Sequence, residues 1–164
     1  MKKNIFIIAL ILISGIDLLG QSLELKTVLQ TGGIDWDMVN SIYIDEDHSI
    51  LTTGSFQRSF EVGQEQYTSN GVSDIIFEKL DQDNHVEWLK TFGGHDRRRN
   101  TLGEFGKKIV SNNKDIYLSG IFYGQADFVK TKITSRGKED VFLAKFDRKF
   151  LESLKWRRVL DMDK

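Results

Sequence analysis

The residues of this 164-residue chain best suited to chemistry are carboxylates gathered at two short runs: Asp45, Glu46 and Asp47, then Asp81 and Asp83 followed by Asn84. A hard cation such as calcium is held by several converging carboxylate and carbonyl oxygens, and Asp-x-Asp-Asn is how such a loop begins. The remainder of a calcium loop is missing. Val86 stands at the sixth position where a glycine is needed, Phe92 at the twelfth where a bidentate acid is needed, and Arg148 and Lys149 occupy the matching turn later in the chain. Asp and Asn also favour tight turns because their side chains bond their own backbone. On these grounds the sequence supports no metal ligand, and calcium stays as an alternative to be tested.

Other reactive groups are scattered. His48, His85 and His95 fall in expected turns, none at a short ligand spacing from another. There is no Gly-x-Ser-x-Gly elbow, no His-Glu-x-x-His helix and no glycine-rich phosphate loop, so the motifs that mark hydrolases, zinc proteases and nucleotide enzymes are absent. Dispersed carboxylates such as Asp37, Asp74 and Asp140 could still meet on one face, but the chain is expected to be no enzyme and to take no cofactor. Arg97, Arg98 and Arg99 are a solvated loop or an anion contact, and Trp36, which has no aromatic counterpart later in the chain, is the better candidate for touching a ligand such as a sugar.

The elements that must position these residues follow from an internal repeat. TSNGVSDIIFEKLD (Thr68 to Asp81) returns as TSRGKEDVFLAKFD (Thr134 to Asp147), 66 residues later, and ILTTGSF (Ile50 to Phe56) returns as IYLSGIF (Ile116 to Phe122). From Ile50 to Asp81, nine of 32 positions match at +66 without a gap, where ordinary composition would give about two. The repeated Gly54/Gly120, Asp74/Asp140, Lys79/Lys145 and the late Trp88/Trp156 are read as structural. An acid at a strand start can accept backbone amides of the adjacent turn, and a lysine can run along apolar surface to reach water. A unique active site would need no second copy.

In chain order, Ser22 to Thr31 alternates in the manner of a strand, and its ending resembles Val86 to Gly94. The first repeat, residues 32–92, holds strand candidates at Val39 to Ile44, Ser49 to Phe56, Asp74 to Leu80 and Val86 to Phe92, with a long polar connection from Gln57 to Gly71. The second, residues 93–164, holds them at Phe105 to Val110, Asp115 to Phe122, Asp140 to Phe146 and Leu154 to Leu160, with a turn at Arg148 to Ser153. No stretch has helical periodicity of any length, so the fold class is all-β. The third strands are apolar on both faces (Ile75, Ile76, Phe77 and Leu80; Val141, Phe142, Leu143 and Phe146). Such strands must be sandwiched between neighbouring sheets. The mid-strand glycines 54 and 120 mark close approach of another backbone or a bulge.

These units resemble the SBBP-type β-propeller repeats of secreted bacterial proteins. The likeness lies in the Gly-Gly starts (Gly32-Gly33, Gly93-Gly94), the Gly-x-Phe phrase (Gly54 to Phe56, Gly120 to Phe122), the Asp-apolar-apolar strand closed by Lys and Asp, and the late tryptophans. It implies two four-stranded antiparallel blades plus a leading strand at 22–31, an incomplete propeller, and an exported location. It implies no catalytic residue. Since propellers have about four to eight blades, the expected partners are a second copy or another propeller-repeat chain. A truncated remnant of a longer array, a secreted glycan-active enzyme and a calcium-dependent lectin are the alternatives.

Bulk properties set the remaining bounds. Lys2 and Lys3 before nine apolar residues, Ile5 to Ile13, and then Ser14 and Gly15 read as a signal peptide over residues 1–20. The run is far short of the roughly 20 residues that span a bilayer, so the mature chain is expected to be secreted, periplasmic or on the cell surface with no stable membrane span. Twenty-three basic against 24 acidic side chains give a net charge of −1, which offers nothing to nucleic acid. No cysteine is present, which excludes disulfides and thiol chemistry. A protein or glycan ligand is the class that remains.

Overall fold

The computed structural model describes residues 23–95 and 102–153. In chain order its elements are β1 (Asp37–Ile44), β2 (Ile50–Phe56), β3 (Ser59–Val62), β4 (Glu65–Thr68), β5 (Asp74–Leu80), β6 (Val86–Phe92), β7 (Phe105–Ser111), β8 (Asp115–Phe128), β9 (Thr131–Asp147) and a six-residue helix, α1 (Arg148–Ser153). The fold is all-β, in antiparallel sheets of four, two and three strands ordered β1-β2-β5-β6, β3-β4 and β7-β8-β9. None of the three closes on itself.

The four-stranded sheet is the meander read from the first repeat. Its two tight turns close alike: Asp45 N–H donates to Ser49 O and Asp81 N–H to His85 O, both at 2.9 Å. Each puts its fourth residue, His48 (φ 61°) or Asn84 (φ 66°), in the left-handed region. The acids at positions 45 and 81 are therefore there to satisfy amides, as turn chemistry requires.

The polar connection from Gln57 to Gly71 is not a loop. It forms the β3-β4 hairpin, because Phe60 and Val62 alternate with polar residues and Gly63 supplies a positive φ of 61° at a two-residue turn. In the second repeat the same hairpin is fused to the sheet, so β8 and β9 run well past the expected Phe122 and Asp140. Its register is the first one shifted by 66: Ser59 pairs with Thr68 and Gln125 with Thr134, Val62 with Glu65 and Phe128 with Thr131. Both first strands also carry a bulge, after Val39 and after Gly106.

Two further expectations fail at the ends of the described chain. Residues 23–31 form no ladder and are exposed throughout, because no strand among the described residues lies alongside to take their amides and carbonyls, so the leading strand is absent from the described residues. The turn expected at Arg148 to Ser153 is α1. The signal segment, Arg97 to Arg99, and the fourth strand expected at Leu154 to Leu160 with Trp156 lie outside the described residues.

The main core is the joint between the two larger sheets. Paired residues point to the same side of a sheet, so each repeat has a front (Ile75 and Phe77, or Val141 and Leu143) and a back (Ile76, or Phe142 and Phe146). The front of the first repeat packs on the back of the second: Leu51, Ile75, Phe77, Trp88 and Phe92 meet Ile109, Leu118, Phe122, Phe128, Phe142 and Phe146. Phe77 and Phe92 lie 5.4 Å and 5.5 Å from Phe146, ring to ring, and Phe92 lies 5.3 Å from Phe128. Polar ties cross the same joint: Asn40 Nδ2 donates to Gly106 O and Tyr43 Oη to Ser111 O, both at 2.8 Å. Arg148 Nη1 lies 2.5 Å from Asp45 Oδ2, both side chains being largely buried. That contact is a charge pairing rather than an aligned hydrogen bond. A smaller cluster of Phe56, Phe60, Val62, Ile76 and Leu89 covers the back of the first repeat.

The mid-strand glycines sit where neighbouring backbone crowds in. A Cβ on Gly54 would lie 1.7 Å from Met38 O, and one on Gly120 2.0 Å from Phe105 O, so each lets the bulged first strand approach.

Candidate functional site

The turn acids are occupied by the fold. Asp47 Oδ1 accepts Ser49 N–H at 3.0 Å and Ser49 Oγ at 2.5 Å, and the Ser49 hydroxyl first among several contacts holds the Asp47 carboxyl below its ordinary value. Asp81 Oδ1 accepts the amides of Asp83 and His85, both at 2.9 Å. Slight burial works against ionisation of Asp81, but those amides and the neighbouring imidazole outweigh it and lower its carboxyl. Asp81, Asp83 and His85 do bring one ligand atom each within 4.8 Å of one another. The exposed position and the internal hydrogen bonds account for the cluster without an ion.

Asp74 is fully buried, and its carboxylate accepts Gly71 N–H at 3.2 Å and, from Asn70, the backbone N–H at 3.1 Å and Nδ2 at 3.2 Å. Burial pushes its carboxyl up, and the amides pull the other way. Asp140 makes the equivalent contact with Arg136 N–H at 2.9 Å. Lys79 is buried and lies 2.9 Å from Glu87 and 3.6 Å from Asp47. Lys145 is half exposed, 3.0 Å from Asp115 and above the Tyr117 ring. Trp88 packs edge-on to Phe77 at 4.7 Å inside the joint. Trp36 is 75% exposed on the loop before β1. Of the dispersed carboxylates, Asp37 and Asp74 share a rung on either side of Phe56, and Asp37 alone of the three lines a groove.

That groove, a shallow one, opens on the back of the first repeat. Phe56, Phe60 and Ile76 give it an apolar floor, and Asp37 and Glu78 reach into it. Asp37 Oδ2 accepts Gly33 N–H at 2.6 Å, while its Oδ1 is buried with no hydrogen-bond partner. Glu78 is 4% exposed; Oε1 accepts the Thr52 hydroxyl at 2.7 Å and Oε2 has no partner. Burial raises the Glu78 carboxyl. Two acceptor oxygens over an apolar floor suit an incoming donor, ammonium or hydroxyl, carried on an apolar surface. Glu78 escapes a motif search. Its signal is the break in the repeat, since Ala144 stands at +66.

The second open surface is the front of the second repeat. Val141 is 81% exposed and Leu143 74%, so the expected burial of this third strand on both faces holds on its back alone. Ile75 and Phe77, their equivalents, are fully covered by the second repeat. No protein-family model matches the chain, and none of the curated proteins matches it.

Proposed function

We propose that the chain is an exported interaction module built from two propeller-type blades, similar to SBBP-type repeats, whose two outer faces are its working surfaces. One observation carries this: on each of the two outward faces, positions that are buried in the internal joint recur exposed among the described residues. Ile42 is 62% exposed on the back of the first repeat where its register equivalent Ile109 is buried, and Leu143 is 74% exposed where Phe77 is buried. Contiguous exposed apolar surface of this kind is what association sites carry. The chemistry-bearing side chains support the same reading, since Asp47, Asp74 and Asp81 are engaged with backbone amides rather than gathered around a reaction centre.

Thermal melting with calcium, with a chelator and with a glycan panel tests it against the lectin and glycan-enzyme readings. No shift is expected with any of them. A calcium-dependent rise in melting temperature that Asp81→Asn abolishes, or a glycan-dependent rise that Trp36→Ala abolishes, would overturn it. Export is checked separately by N-terminal sequencing of the secreted chain, with cleavage near residue 20 expected.

A further inference from the structure

Resting on the interaction-module reading, we propose that the partner is a second copy of this chain, bound head to tail: the front of the second repeat docks on the back of the first repeat of the next copy, repeating the internal joint between molecules. The internal joint is the guide. It joins a front to a back, and the two uncovered surfaces are again one front and one back, made of the same positions. On the front, Val141 and Leu143 stand for Ile75 and Phe77. On the back, Val39, Ile42 and Ile44 of β1 are exposed, Ile42 standing for Ile109 of the wall that accepts Phe77 and Phe92 within the chain, while Phe56, Val62 and Ile76 behind them are already packed under the β3-β4 hairpin.

Charge selects this pairing over front to front or back to back. The open back carries Asp37 and Glu78, each with a buried oxygen that lacks a partner. The open front carries Lys108, exposed and paired in register with Ser119, beside Lys145, which Asp115 already holds. Within the chain the position of Glu78 is taken by Ala144, which packs against the core. The joint between copies therefore carries Glu78 and Lys108 where the joint within a copy has Ala144 and Ser41, and this added acid and ammonium favour association in trans with a fixed orientation. A contact between different patches makes a ring when its rotation closes. Two copies, each giving a front and receiving one, would make a ring of four blades, at the low end of the range of about four to eight blades.

Sedimentation velocity of the purified chain over a wide concentration range tests this, with Leu143→Glu on the front and Ile42→Glu on the back. Both positions are exposed, so both variants are expected to fold with wild-type circular dichroism; should either melt early, Leu143→Ser and Ile42→Ser take their place. Wild type is expected to assemble, and each variant alone to associate about thirtyfold more weakly or worse, as loss of a central contact implies. An equimolar mixture of the two retains one intact front and one intact back and is expected to recover a pair. A folded wild type that stays monomeric, a single variant that still assembles, or a mixture that does not pair each overturns the proposal. Those outcomes leave the interaction-module reading standing, which fails instead by the calcium or glycan shift above.

Discussion

Phe77 and Leu143 occupy the same place in the two repeats, yet one is sealed in the joint and the other faces water, which makes the pair a direct measure of what the joint contributes. Phe77 is fully buried, with ring neighbours Trp88 at 4.7 Å, Phe146 at 5.4 Å and Phe92 at 6.2 Å. Truncating a buried phenylalanine to alanine costs about 3–5 kcal/mol, the cost rising with the cavity left behind. Here the ring lies between two sheets whose backbones are fixed by ladders on either side, so little collapse can fill the space. We expect Phe77→Ala to cost about 4–5 kcal/mol, in the upper half of that range. Leu143→Ala removes a side chain that is 74% exposed and should stay within about 0.5 kcal/mol, as surface changes do. Urea unfolding followed by circular dichroism reads both, at a protein concentration low enough that copies are separate. A loss below about 1 kcal/mol for Phe77→Ala, or matching losses at the two positions, would refute the account of the joint. At high concentration Leu143→Ala is expected to acquire a cost, because the assembly would cover it.

Four further changes probe the features around the joint. Glu78 is held protonated above its ordinary range, so between the unfolded and folded values the native state binds more protons and stability falls as pH rises; Glu78→Gln keeps an acceptor for Thr52 and should raise the melting temperature at neutral pH while changing little under acid conditions where the glutamate is protonated in both states. Arg148→Ala leaves Asp45 buried with no cation among the described residues beside it and should cost about 3 kcal/mol in denaturant titration, the scale for breaking a buried pair. Gly54→Ala drives a Cβ into Met38 O and should cost about 3 kcal/mol or prevent folding, read by yield and melting. Val129 holds φ at 53° where the first repeat has Gly63 at 61°, so Val129→Gly should gain about 1 kcal/mol by releasing left-handed strain in a β-branched residue.

The strands and their pairing were legible because apolar alternation and turn residues are local signals. Asp74 to Leu80 and Val86 to Phe92 lie where their patterns put them, between turns whose Asp and Asn residues state their purpose in the sequence. The β3-β4 hairpin was hidden because its strands are four residues long and polar at alternate positions, so Phe60 and Val62 read as stray apolar residues in a loop. Its mate in the second repeat has Ala126 and Phe128 at those places and an unfavourable Val129 at the turn, which dilutes the match at +66. The leading strand misled for a different reason. Leu23, Leu25 and Leu29 have the right period, but a ladder needs a neighbour and none of the described residues supplies one. The groove was illegible because Asp37 and Glu78 come from different strands and no spacing connects them. They meet there through the β1-β2-β5 order and the bulge after Val39.

The joint has a direction, and direction makes length a variable that evolution can change cheaply. Because every repeat offers a back to the one before and a front to the one after, a tandem duplication of about 66 residues adds one more joint without requiring any existing side chain to change. The uncovered ends stay the same two surfaces however many repeats lie between them, so in a nearest-neighbour description each insertion adds a joint while the end penalty stays constant.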